Sequence, residues 1–235
     1  MTQDISGAAP EDETVLRLRQ RIRRLRDRLQ RDTRRADSIG FLKGVISTLR
    51  PGDLAVDCGA NVGKITLMLA ESGANVVAFE PDPWSFAQLE AATAHLDNVT
   101  RINAGVGVED GSLTLYRSAS FADDPLKQSI NSSLMPDARS IDAEGEGIPV
   151  KVINFPAWLQ QQLDQGEHIA LVKMDIEGAE LEIMETVLDQ KLPERTGPFL
   201  VETHPGLFPK KRDRFRALAE RARDYPANRV NLDWI

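Results

Sequence analysis

The stretch VDCGANVGKIT, at 56–66, holds residues suited to gripping a charged small molecule. Gly59 and Gly63 lie four apart and Lys64 follows, the layout of a loop that turns backbone N–H groups toward an anion. A triphosphate-binding loop needs four residues between its first glycine and the Gly-Lys pair, then Ser or Thr for magnesium. Here three intervene and Ile65 follows the lysine, so the nest is one residue short and the metal-holding hydroxyl is missing. The dinucleotide fingerprint G-x-G-x-x-G fails as well, because Asn61 stands at its middle glycine. What the spacing fits is a strand ending in Asp57, a tight turn at Gly59 and a helix opened by Gly63. Such a helix N-terminus faces a carboxylate as readily as a phosphate, and Asp57 can balance a positive ligand group. Glu80, 23 residues after Asp57, ends the next apolar run, where an acid can take both hydroxyls of an adenosine ribose. These groups suit a zwitterionic amino acid joined to adenosine, as in S-adenosylmethionine, better than a pyrophosphate.

The elements that must position these residues alternate along the chain. LAVDCG (54–59), NVVAFE (75–80), VTRINAG (99–105), PVKVINF (149–155), IALVKMD (169–175) and PFLVETH (198–204) read as strands. SLTLYRS (112–118) reads as a further strand or hairpin arm. Helical segments at 63–73, 84–95, 156–165, 179–190 and 209–223 separate them, which predicts right-handed crossovers and a mostly parallel, doubly wound sheet. Residues 119–148 are rich in Ser, Asp, Gly and Pro and read as a long loop, either a disordered insertion or a lid carrying the hydroxyls of SINSSL (129–134). Residues 1–13 are polar and read as disordered, and 14–50 as a helical extension in two pieces, the second near 38–48. The remainder, 51–235, forms the ligand-binding domain.

Charge is unevenly distributed. Thr14 to Ala36 holds ten arginines against two aspartates, about +8, so the rest carries about −15 within a chain of net −7. An acidic body repels phosphate over most of its surface and argues against nucleic acid as the substrate of the main domain. In the basic segment Val15, Leu18, Ile22, Leu25 and Leu29 recur at spacings of three and four, one apolar stripe on an arginine-rich amphipathic helix. The stripe suits packing on its own domain or on a second copy, as a homodimer, or use as a membrane-surface or nucleic-acid arm. No run reaches the roughly 18 apolar residues of a membrane span. The single cysteine, Cys58, leaves no internal disulfide, and the first ten residues lack a secretory pattern, so a cytoplasmic protein is expected.

VDCGANVGKIT, AFEPDP (78–83), NVTRINAGVG (98–107), VKMDIEGAELEIM (172–184) and LVETHP (200–205), in that order, resemble the FkbM family of S-adenosylmethionine-dependent methyltransferases. The resemblance covers roughly 50–205. It implies an α/β, Rossmann-like class I methyltransferase fold of usually seven strands, the last antiparallel. It implies methyl transfer to hydroxyl oxygens of sugars, glycans and macrolide-type natural products. By the same resemblance Asp57, Gly59, Ala60, Asn61 and Gly63 surround the methionine part of the cofactor, Glu80 holds the ribose and Pro81 shapes the turn below it. The usual adenine-binding acid after the third strand is replaced by Ala104-Gly105, leaving backbone or Asn103 for that contact. The chain stops soon after RVNLDW, so the final strand pair is expected to be incomplete.

Transfer to oxygen needs an aligned acceptor and a group that takes its proton. Asp175 ends VKMD with Glu177 and Glu180 just beyond, and Glu202 and His204 end LVETH. A neutral imidazole accepts a proton near pH 7, which makes His204 the first choice of base, with Asp175 second as base or as orienting acid. Plainer roles compete: His204 bonding a loop carbonyl, Asp175 capping a helix, Glu180 a structural partner. Asp175, Glu177, Glu202 and His204 are also donors for a divalent ion, but nothing in the sequence makes them converge, and no metal is expected. The expectation is an O-methyltransferase acting on a small-molecule or glycan acceptor. Its rivals are a nicotinamide-dependent oxidoreductase and a non-catalytic cofactor-binding assembly partner.

Overall fold

A computed structural model describes residues 13–129, 132–135, 141 and 147–234, and the segment read as disordered lies outside these apart from Glu13. Helix α1 (Glu13–Ile46) leads into β1 (Leu54–Cys58), α2 (Lys64–Ala70), β2 (Asn75–Phe79), α3 (Pro83–Thr93), β3 (Val99–Ile102) and β4 (Gly105–Gly107). Then come β5 (Gly111–Leu115), α4 (Pro125–Gln128), β6 (Ile148–Asn154), α5 (Phe155–Asp164), β7 (Ile169–Met174) and α6 (Glu180–Asp189). The chain closes with β8 (Phe199–Val201), α7 (Arg212–Ala222) and β9 (Val230–Asn231).

The main sheet has the order β3-β2-β1-β7-β8-β9, and every pairing within it is parallel. The strands are apolar because helices cover both faces, and alternate residues serve opposite layers. Leu54, Val56 and Cys58 of β1 pack with α5, α6 and α7, whereas Ala55 faces α2 and the inner end of α1. Val172 and Met174 of β7 follow the first layer and Leu171 the second. The Cys58 thiol is buried in that packing, which pushes its pKa well up. Local signals start the helices. Asp82 caps α3 by accepting from the Trp84 and Ser85 N–H groups at 2.8 and 3.1 Å, with Pro83 in the first turn. Asn154 caps α5 in the same way.

The structure departs from the sequence reading in three places. The two expected N-terminal helices are one continuous helix: no proline interrupts 13–46, and Gly40 and Gly44 stand in open space. VTRINAG divides between β3 and β4, the latter joining a second small sheet in the order β4-β6-β5. The antiparallel last strand that the resemblance implies is absent among the described residues. β9 runs parallel to β8, and the reversal is reduced to one bridge between Glu202 and Asp233.

Candidate active site

Strand order reverses at β1, where chain leaves toward β2 on one side and arrives from β7 on the other. Open α/β sheets bind ligands in the crevice at that point. Here the crevice is a cavity of about 460 Å³, within the range of small-molecule sites. Gly59 sets its floor, with φ of 77°. A Cβ at Gly59 would stand 1.8 Å from the Asp175 carbonyl oxygen, so only glycine lets the loops after β1 and β7 touch. Asn61, at φ 50°, donates its backbone N–H to Glu80 Oε2 at 2.7 Å. Its Oδ1 accepts the Val62 N–H at 2.7 Å and the Ser129 hydroxyl at 3.1 Å. Glu80 Oε1 accepts the Asp82 N–H at 2.8 Å. Burial pushes the Glu80 carboxyl up to about 7, against those two N–H groups, which favour the anion. Each Glu80 oxygen keeps a second lone pair for a ligand hydroxyl.

The opposite wall is acidic. Asp175 and Glu177 come from the loop after β7, and Glu202 from the end of β8. Behind them His204 Nε2 lies 3.6 Å from Glu177, 3.8 Å from Glu202 and 3.9 Å from Asp175. Its Nδ1 meets Glu180 Oε1 at 2.9 Å, the same oxygen that accepts the His204 backbone N–H at 2.9 Å. Glu180 is fully buried and its Oε2 takes the Gly178 N–H at 2.6 Å. Gly178 has φ of 122°, and a Cβ there would lie 2.2 Å from the Phe208 ring, so this loop too requires glycine. Burial pulls the His204 imidazole down, but Glu180, Glu177 and Asp175 outweigh it and lift it to about 9. Burial raises Glu177 and Glu202 to about 7 each.

The model of the methyltransferase FkbM domain matches residues 57–225, most of the chain. This chain belongs to the FkbM methyltransferase family. Its cofactor is accordingly S-adenosylmethionine. No curated protein matches the chain. A SAM-dependent methyltransferase of Agrobacterium tumefaciens is similar over 60% of this chain and 31% of its own, at 10% identity and a TM-score of 0.31. A Clostridium thermocellum protein assigned as an rRNA-methylase is similar over 76% of this chain and 78% of its own, at 12% identity and a TM-score of 0.37. The chain thus spans about a third of the length of the first of these.

In this FkbM methyltransferase Gly59, Ala60, Asn61, Glu80, Pro81, Asp175 and Glu202, all candidates from the sequence, lie in the cavity wall. Four expected residues stand elsewhere. Asp57 is fully buried beneath the loop, where Oδ2 accepts the Thr66 hydroxyl at 2.7 Å. Its Oδ1 faces Lys173 Nζ at 3.1 Å, an ion pair without hydrogen-bond alignment. Asp57 therefore balances a protein cation, not a ligand one. Gly63 starts α2 with φ of 87° and packs against Leu89. Asn103 is exposed and donates to the Glu80 and Pro81 carbonyls at 2.8 and 3.3 Å, fixing the turn after β2. His204 sits behind the carboxylates, already protonated at pH 7, which removes the neutral imidazole that its role as base requires.

Lys173 went unread in the sequence because a lysine inside VKMD looks like an interruption. It is buried, bonds the Gly59 carbonyl at 2.8 Å and joins the wall. Burial pulls its pKa down, but Asp57 and Asp175 leave it raised. Trp234, also in the wall, lies with its ring 5.9 Å from that ammonium. Asp175, Glu177 and His204 bring one donor atom each within 4.8 Å of the others, near enough to share a cation. The imidazolium already supplies a positive charge there.

Proposed function

We propose that this FkbM methyltransferase transfers a methyl group to a hydroxyl oxygen of a sugar, a glycan precursor or a secondary metabolite. One observation carries the reading: the cofactor wall at 59–61 and 80–81 and the carboxylates Asp175, Glu177 and Glu202 face the same cavity. Bound there, S-adenosylmethionine would supply an electrophilic sulfonium methyl for the acceptor oxygen and would leave as S-adenosylhomocysteine. Glu80 would accept hydrogen bonds from the ribose hydroxyls, while Gly59, Ala60 and Asn61 would line the methionine end. Asp175 is the base. It leaves β7 against Gly59, beside the methionine end, and takes the acceptor's proton as the oxygen attacks. His204, held by Glu180, keeps its proton and lowers the cost of gathering three carboxylates. We place the enzyme in the cytoplasm, a reading supported by a lone cysteine buried as packing.

Calorimetric titration with S-adenosylhomocysteine, with NADH and ATP as controls, comes first, followed by turnover on a panel of hydroxylated and amine acceptors. Binding of the homocysteine compound alone, with Asp175→Asn keeping it and losing on the order of 10²–10⁴ in kcat, is the expected result. Full turnover in Asp175→Asn with loss in Glu202→Gln moves the base to Glu202. Methylation confined to amines rejects transfer to oxygen.

A further inference from the structure

Helix α1 extends from the body along its basic half. Val15, Leu18, Ile22, Leu25 and Leu29 are 39%, 53%, 48%, 56% and 68% exposed. From Ser38 onward the same helix is held, with Leu42 fully buried and the Trp234 indole N–H donating to the Ser38 carbonyl at 3.3 Å. The inner end contributes Arg35 and Ile39 to the cavity wall. Leu29 and Arg35 lie six residues, about 9 Å, apart along the helix axis.

We infer that the outer half of α1 docks the protein on an anionic lipid surface. A second copy is the first alternative, and charge opposes it. With Val15, Ile22 and Leu29 at the a positions of a heptad, Leu18 and Leu25 are at d, Arg19 and Arg26 at e, Arg21 and Arg28 at g. In a parallel pair g meets e, and in an antiparallel pair g meets g and e meets e. Arginine therefore faces arginine in either orientation. The seam also spans only about two heptads, short of the three to four a coiled coil sustains, which weighs equally against an acidic partner helix. An acidic helix would in addition reach only the e and g arginines, leaving Arg23, Arg24, Arg31 and Arg34 out of contact.

A lipid surface has neither restriction. Apolar side chains enter the headgroup boundary in proportion to their area, and arginine stems lie along that boundary with their guanidinium groups at the phosphates. Each such charge strengthens attachment to an anionic leaflet, and salt screens the effect. The acidic body is repelled by the same surface, so contact is confined to the helix. Among the described residues no helix is long and apolar enough to cross a membrane. The attachment is therefore peripheral.

The test is sedimentation of the full chain with vesicles of phosphatidylcholine and phosphatidylglycerol in equal parts, against phosphatidylcholine alone, at rising salt. Light scattering of the lipid-free protein runs alongside. The expected result is binding to the anionic vesicles only, weakened by salt. Leu18→Ser/Ile22→Ser/Leu25→Ser should weaken it at least about tenfold. Arg21→Gln/Arg26→Gln/Arg28→Gln should flatten its salt dependence. Both variants keep S-adenosylhomocysteine binding, which shows them folded. Absence of vesicle binding by the folded full chain overturns the inference, as does binding that neither variant weakens. A lipid-free dimer abolished by the apolar variant assigns the stripe to a second copy instead.

Discussion

Asp57 and Lys173 face each other at 3.1 Å with almost no exposure, below the loop that both support. Removing one charge from such a pair strands the other in a medium that cannot solvate it. Asp57→Asn should lower stability by about 3–5 kcal/mol in urea denaturation. Asp57→Asn/Lys173→Met should recover part of that loss; a single variant as stable as the wild type would show that the pair does not support the loop. His204 makes a prediction in pH. Its proton is held in the folded protein to about pH 9, against 6.5 for the free side chain. The stabilisation is therefore complete below pH 6.5 and is lost as pH rises through about 9. Melting temperatures should fall across that window in the wild type and fall less in His204→Gln. Equal slopes would mean that the imidazole is not held protonated by Glu180 and its neighbours.

The segment between β5 and β6 is the element on which the site most depends outside the sheet. Arg117 grips the α3 cap Asp82 with two hydrogen bonds, at 2.7 and 2.8 Å, and stacks 4.0 Å from the Phe121 ring. Phe121 in turn meets Trp84 edge to face. Tyr116 and Ser133 bridge across the segment, Ser129 reaches Asn61, and Ser133 Oγ donates to the Glu177 carbonyl at 2.8 Å. Hydroxyls of the SINSSL stretch thus touch the loops after β1 and after β7; its Ile130 and Asn131 lie outside the described residues. Replacing 122–146 with a short Gly-Ser linker should reduce turnover by on the order of tenfold or more, because the cavity loses a wall that excludes water. Unchanged turnover would make the segment a surface insertion.

At the scale of the whole molecule, an acidic body carries a basic arm on one helix. The arm's inner end, 38–46, joins the layer that covers one face of the sheet, packing with Ala55, Leu171 and Trp234. The opposite face is closed by α5, α6 and α7. The cavity opens where the two halves of the sheet diverge, and α1 and Trp234 complete its wall from outside the sheet.

Strand and helix order follow from local chemistry: buried parallel strands are mostly apolar runs, and Asp82 and Asn154 cap the helices they precede. The doubly wound architecture, the glycine loop at 59–63, the acid at Glu80 and the arginine-rich helix were therefore legible along the chain. Those features depend on spacing of a few residues or on one strand end. Other features depend on groups distant in the chain. Asp57 turns inward because Lys173, 116 positions later, is its counter-ion. His204 is held protonated because the β7–α6 segment and the end of β8 both bring carboxylates to it, and Trp234 joins the cavity wall with its indole N–H bonded to the Ser38 carbonyl of α1. A charge state is the sum of neighbours, and no spacing along the chain specifies which neighbours meet.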